Sequence, residues 1–232
     1  MQSLTLALSF LLALLVSAAL VPIFRAVAFR LDYVVPSEDR RTSSKPKALL
    51  GGVAIALTTS VCAIALGTFD AVPVLLLSST GLLGLGLTSD LFTLKPSTKL
   101  VAVIAVASLF LLFDYRLYWA ESQTIDSIIT LFWIVGITSA FNLLDNMDGL
   151  CGGIAFLAGT AFLVTVLPVP ADSPLFLQTQ YLVVLLGAVA GFLFYNVRPA
   201  SVTMGEAGSL FVGLNMAAMT LQMPDSSRPH KS

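Results

Sequence analysis

In the segment Asn142-Leu143-Leu144-Asp145-Asn146-Met147-Asp148-Gly149, one amide and two carboxylates recur at every third residue. If the segment is helical, about 100° per residue places Asn142, Asp145 and Asp148 on one face. Apolar runs flank it on both sides. Carboxylates so near a bilayer are costly unless they pair with a cation or bind something. A metal–diphosphate, the hydroxyls of a sugar or of uridine, or a basic side chain would each satisfy them. Three further clusters carry polar chemistry. Ser89-Asp90 ends one apolar run, and Lys95-Pro96 with Lys99 begins the next. Pro96 suits a first helical position, and Lys99 can snorkel to the interface. Met204-Gly205-Glu206-Ala207-Gly208 sets one carboxylate between glycines, which permit close backbone approach to a ligand. Arg40, Arg41, Lys45 and Lys47 precede Gly51-Gly52 and can neutralise phosphate groups or anionic lipid.

The elements that must position these residues are membrane spans. Of 232 residues, 57% are hydrophobic and only 11% are charged, with a mean hydropathy of +0.93. An ordinary soluble domain carries roughly 25% charged residues, and lipid removes the need for so polar a surface. Eight apolar segments lie at 3–24, 48–68, 71–88, 99–113, 124–141, 150–168, 180–196 and 208–223. Most are near the length of about 17–25 residues that crosses a bilayer. The first lacks a basic n-region and is too long for a signal peptide's apolar core. The expected fold is all-α: a polytopic transmembrane helical bundle of about eight spans, one domain over 1–223 with a polar tail over 224–232. A net charge of −1 gives no case for nucleic acid. Cys62 and Cys151 read as small apolar residues.

Lys and Arg orient the bundle. One side receives Arg25, Arg30, Arg40, Arg41, Lys45, Lys47, Lys95, Lys99 and Arg198, and the other only Arg116, Arg228 and Lys231. The first set is expected to be cytoplasmic by the positive-inside rule, with both termini outward. All four polar clusters fall on that cytoplasmic side, as a site assembled from loops would require. A transporter would instead place ionisable residues near mid-membrane.

Taken in order, these motifs resemble those of the transferases that move a sugar 1-phosphate from a UDP-sugar to a polyprenyl phosphate. That family includes the phospho-N-acetylmuramoyl-pentapeptide transferase of peptidoglycan synthesis and N-acetylglucosamine-1-phosphate transferases of O-antigen and teichoic-acid synthesis. The resemblance covers roughly residues 30–215, and Asn142 to Leu150 is closer to the N-acetylglucosamine branch. It implies a magnesium-dependent enzyme of the plasma membrane, with manganese as a substitute and the active site on the cytoplasmic face. It implies three partners: a UDP-sugar, polyprenyl (undecaprenyl) phosphate and the bilayer; a homodimer is compatible with it. By the same resemblance Asp90, Asp145 and Asp148 are catalytic, Asp90 and Glu206 hold the metal, and Asn142, Arg40, Arg41, Lys45 and Lys99 bind substrate.

Four departures from the family pattern stand out. Ser89 replaces the first residue of an Asp-Asp pair, Glu206 replaces an Asp, and Ser43 stands where many members carry His. The family's further spans and His-bearing loop have no counterpart here, the one histidine being His230. An inactive relative that binds nucleotide-sugar or lipid is therefore the alternative reading.

The charge bias makes a direct prediction. In a background lacking Cys62 and Cys151, cysteines placed at positions 40 and 95 should resist a membrane-impermeant thiol reagent in intact cells. Ready labelling from outside would invert the orientation.

Overall fold

The computed structural model describes residues 2–35, 46–92, 94–120, 122–170 and 173–221. Arg40, Arg41, Lys45 and the 224–232 tail lie outside the described residues. The described residues form eight α-helices: α1 (Gln2–Arg30), α2 (Gly51–Ala65), α3 (Pro73–Phe92), α4 (Pro96–Leu112), α5 (Gln123–Leu144), α6 (Leu150–Val166), α7 (Pro174–Asn196) and α8 (Gly205–Leu221), with a short 3-10 turn at Phe69–Ala71. Four of them, α1, α3, α5 and α7, are long and apolar enough to cross a membrane. The others have 15–17 residues, about 23–26 Å at the helical rise against a hydrocarbon core of about 30 Å. A two-residue antiparallel ribbon, β1 (Val34–Val35) with β2 (Lys47–Ala48), is the sole strand pairing among the described residues.

Local sequence explains several helix ends. Pro96 opens α4, and Pro174 opens α7 behind Ser173, whose Oγ accepts the Leu175 N–H at 3.2 Å. Helix α1 runs past the first apolar segment to Arg30, because Arg25 folds over the Phe29 ring at 5.8 Å and need not end the helix. Helix α5 ends at Leu144, where the Asn146 side chain donates to the Leu143 carbonyl at 2.6 Å.

Helix α8 is the centre of the bundle. It packs against α2, α3 and α5, and every residue except Glu206 and Thr220 is buried. Outer helices present apolar side chains outward, among them Leu4, Leu8, Leu11 and Leu15 of α1 and Ile128 and Phe132 of α5. Such surface is tolerable where lipid, not water, is the solvent. Neutral polar pairs join helices inside: Tyr181 Oη donates to Asn215 Oδ1 at 2.5 Å, and Gln180 Nε2 donates to Ser9 Oγ at 2.9 Å.

The most extensive helix pairing is that of α1 with α7. Gly187 and Gly191, four apart on α7, lie against the α1 backbone, and a Cβ on either would come 2.5 Å from the Phe10 or Leu14 carbonyl oxygen. Small residues at this spacing are what let helices touch within lipid. Ser17 Oγ donates across the same seam to the Ala188 carbonyl at 2.7 Å. Gly191→Leu should therefore destabilise the purified protein by about 1–3 kcal/mol in detergent unfolding. Gly136→Leu is the control, since a Cβ there meets nothing within 4 Å; equal losses in both would dismiss the seam.

Candidate active site

The buried start of α8 sets the problem that the surrounding residues solve. The first backbone N–H groups of a helix have no partner within it, and here they sit inside the bundle mouth. Asp90, in the last turn of α3, accepts the Glu206 N–H at 3.1 Å and the Ala207 N–H at 3.2 Å. Asp145, just past the end of α5, faces the Gly205 N–H. A helix N-terminus favours negative charge, so both carboxylates sit where the backbone wants them. Gly205 adopts a φ of +74°, and a Cβ there would lie 3.0 Å from the Leu49 carbonyl and 3.1 Å from Asp90 Oδ2. That glycine is required by conformation and by space.

Backbone pairings stitch the loops into one block. The segment leading into α2 runs beside the one leading into α8: Thr203 N–H donates to Ala48 O at 2.8 Å, Gly51 N–H to Thr203 O at 3.1 Å and Gly52 N–H to Met204 O at 2.9 Å. Asn196, at the end of α7, accepts the Gly149 N–H at 3.0 Å and donates to the Val202 carbonyl at 2.9 Å. Two ion pairs join separate segments. Lys47 Nζ lies 2.6 and 2.8 Å from the two Asp148 oxygens, and Asp148 Oδ2 also accepts the Ala200 N–H at 3.3 Å. Lys99, in the first turn of α4, pairs with Glu206. Asn142 Oδ1 accepts from Ser209 Oγ at 2.9 Å, beside Glu206.

Three polar clusters of the sequence, with Lys47 from the fourth, thus meet at one end of the bundle, bringing Asp90, Lys99, Asn142, Asp145, Asp148 and Glu206 together. The anticipated helical face through Asn142, Asp145 and Asp148 is not what unites them. Asn142 is in α5, while Asp145 and Asp148 lie on the turn after it. Ser89 is buried beside Asp90. Sequence reasoning does not single out Lys47 or Asn196 as site residues. Lys47 is one charge in a basic run, and Asn196 carries no motif; neither reveals its partner until the 197–204 segment is placed. At the opposite end the polar chemistry is structural, with Asp126 accepting the Trp119 and Ala120 N–H groups at 3.0 and 2.8 Å.

Asp145 has no cationic partner among the described residues. Burial pushes its carboxyl up to about 7, the like charges of Asp90 and Asp148 push the same way, and the Gly205 N–H opposes them. No three Asp, Glu, His or Cys side chains converge at metal-ligand spacing among the described residues. The donor chemistry still suits magnesium, which takes oxygen ligands, one or two of them carboxylates, and completes its shell with water and substrate phosphate.

Among the described residues, Asp90, Lys99, Asp126 and Glu206 each occupy a terminal turn of their helix, with neutral polar pairs between helices. This is an all-α polytopic membrane protein with Asp90, Asp145, Asp148 and Glu206 brought together at one end of the bundle. The chain belongs to glycosyl transferase family 4, whose pattern matches residues 72–223. It is 27% identical to a Bacillus subtilis protein named "Probable undecaprenyl-phosphate N-acetylglucosaminyl 1-phosphate transferase", over 92% of this chain and 62% of that one. It is 32% identical to the phospho-N-acetylmuramoyl-pentapeptide-transferase of Bacillus cytotoxicus, over 90% of this chain and 72% of that one. A match to the same-named Limosilactobacillus reuteri protein is 37% identical over 39% of this chain and 28% of that one. The chain spans less than two thirds of the length of several curated relatives it matches.

The raised Asp145 carboxyl has a stability consequence. A carboxyl raised in the folded state favours folding fully below its unfolded value near 3.8 and loses that advantage as pH climbs through about 7. Asp145→Asn removes the dependence. In chelator-treated detergent samples the mutant should melt above wild type at pH 8, and the gap should close toward pH 4. A gap independent of pH would show that this carboxyl bears no such cost.

Proposed function

We propose that the chain transfers a sugar 1-phosphate, N-acetylglucosamine 1-phosphate foremost, from a UDP-sugar to polyprenyl phosphate on the cytoplasmic face of the plasma membrane. A phosphate oxygen of the polyprenyl phosphate attacks the β-phosphorus of the UDP-sugar. The bond from that phosphorus to the bridging oxygen breaks, and UMP leaves with the oxygen and the electron pair.

The observation that carries this reading is the convergence of Asp90, Asp145 and Glu206 with Lys99 around the N-terminus of α8. These come from four separated segments and meet where the family match lies. The name of the Bacillus subtilis relative supports the choice of sugar and of lipid. Asp90 and Glu206 would hold a magnesium ion, which when bound neutralises diphosphate charge and polarises its oxygens. Asp145 faces the nucleotide-sugar, Asn142 hydrogen-bonds it, and Lys99 offsets phosphate charge. Arg40, Arg41 and Lys45 supply further positive charge for the two phosphate-bearing substrates.

A second reading has its own support. Ser89 removes one carboxylate, and Lys99 already engages Glu206, which suits a relative that binds nucleotide-sugar without turning it over. One assay separates them. Purified protein, undecaprenyl phosphate and magnesium are incubated with a panel of UDP-sugars, and UMP is measured. Release that needs both substrates, stops in excess chelator, and in Glu206→Gln needs more magnesium or disappears is the expected result. No UMP from any UDP-sugar, with nucleotide-sugar binding retained, establishes the second reading. Undiminished turnover in chelator removes the metal from both.

A further inference from the structure

Asp148 has both carboxylate oxygens engaged by the protein itself. Lys47 Nζ reaches both oxygens, at 2.6 and 2.8 Å, and the Ala200 N–H takes Oδ2 at 3.3 Å. A carboxylate offers about four lone-pair sites, so little is left to receive a ligand. The side chains are 29% and 19% exposed, so the pair is partly shielded from water.

The lysine stands on a fixed support. Lys47 lies on β2, opposite Val35 in the ribbon, and the neighbouring Ala48 carbonyl accepts the Thr203 N–H. The salt bridge therefore gathers three loops at one point: the one entering α2, the α5–α6 turn and the one entering α8. Asp145 stands three residues before Asp148 on that turn. Remove the lysine, and the Asp148 charge becomes a part-buried charge without its cation, adding to the repulsion already felt by Asp145. The turn would then relax outward and carry Asp145 with it.

We propose that Lys47 is a positioning residue: by clamping Asp148 it fixes the 145–148 turn, and so the Asp145 carboxylate, against the start of α8. Asp148 acts through this clamp and not on the substrate. The inference rests on the transferase reading for its consequence in turnover, and on the geometry alone for the clamp.

The test is a double-mutant cycle on the full chain with Lys47→Gln, Asp148→Asn and the pair, alongside Lys47→Arg. UMP release from UDP-N-acetylglucosamine and undecaprenyl phosphate is followed together with thermal unfolding in detergent. Each single mutant should lose about 10–100-fold in kcat, the scale of a lost supporting contact, with KM for undecaprenyl phosphate within about twofold of wild type. The double mutant should be no worse than the poorer single, and Lys47→Arg should recover most of the rate. Losses that multiply in the double mutant, or a Lys47→Gln enzyme equal to wild type, would overturn the clamp and return Asp148 to the substrate. If the wild type releases no UMP, the transferase reading fails separately, and the cycle is read in melting temperature. Coupling between the two sites then upholds the clamp, and purely additive shifts refute it.

Discussion

The structure depends on one constraint: a fully packed central helix begins inside the protein. Helix α8 is enclosed by α2, α3 and α5, so its first N–H groups cannot turn to bulk water. Each buried, unpaired N–H costs about 1–3 kcal/mol, and carboxylates are the strongest acceptors a sequence can offer. Asp90 and Asp145 meet that demand from two other helices, which fixes the ends of α3 and α5 relative to α8. The site is in this sense a by-product of capping. The groups that complete the helix are also the acidic groups available for chemistry.

Carboxylates gathered this way repel one another, and the lysines decide which can be tolerated as ions. Lys99 engages Glu206 and Lys47 engages Asp148, whereas Asp145 is left with backbone help only and a raised pKa. The loops can hold this unequal distribution because their backbones are mutually bonded. Residues 48–52 run against 201–204, and Asn196 joins the α5–α6 turn to the entry of α8. Strain from like charges is thus resisted by these backbone pairings together with the Lys47–Asp148 ion pair.

Much of this was legible in sequence for a simple reason: in a chain with 11% charge, each ionisable residue beside an apolar run stands out. Asp90, Glu206 and the Asn142–Asp148 segment were visible on those grounds, as was their common side of the bundle. The helix type and order followed from the apolar runs. What periodicity could not supply was the end of α5 at Leu144, because an Asn146 side-chain cap decides it locally. Nor could it name Lys47 as a partner of Asp148, or find Asn196. Those contacts depend on the path of residues 197–204, which have no repeat and no helical or strand periodicity. The α1–α7 seam was hidden differently. Gly187 and Gly191 are ordinary in an apolar helix until their partner's backbone is placed against them.

The departures at Ser89 and Glu206 become intelligible together as a matter of charge and reach. With Asp148 balanced by Lys47, the start of α8 holds Asp90, Asp145 and Glu206 against Lys99. Three carboxyl groups there face a single lysine, so acidic groups are in excess. An aspartate at position 89, buried beside Asp90, would add a further carboxyl group where water screens it poorly. Serine avoids that cost. The longer glutamate has a compensating use as well. Helix α4 packs on α3 and α5, and the Lys99–Glu206 pair ties it to the central helix. The shorter side chain of an aspartate at position 206 would end one methylene further from Lys99, trading that tie for a carboxylate nearer the backbone of its own first turn.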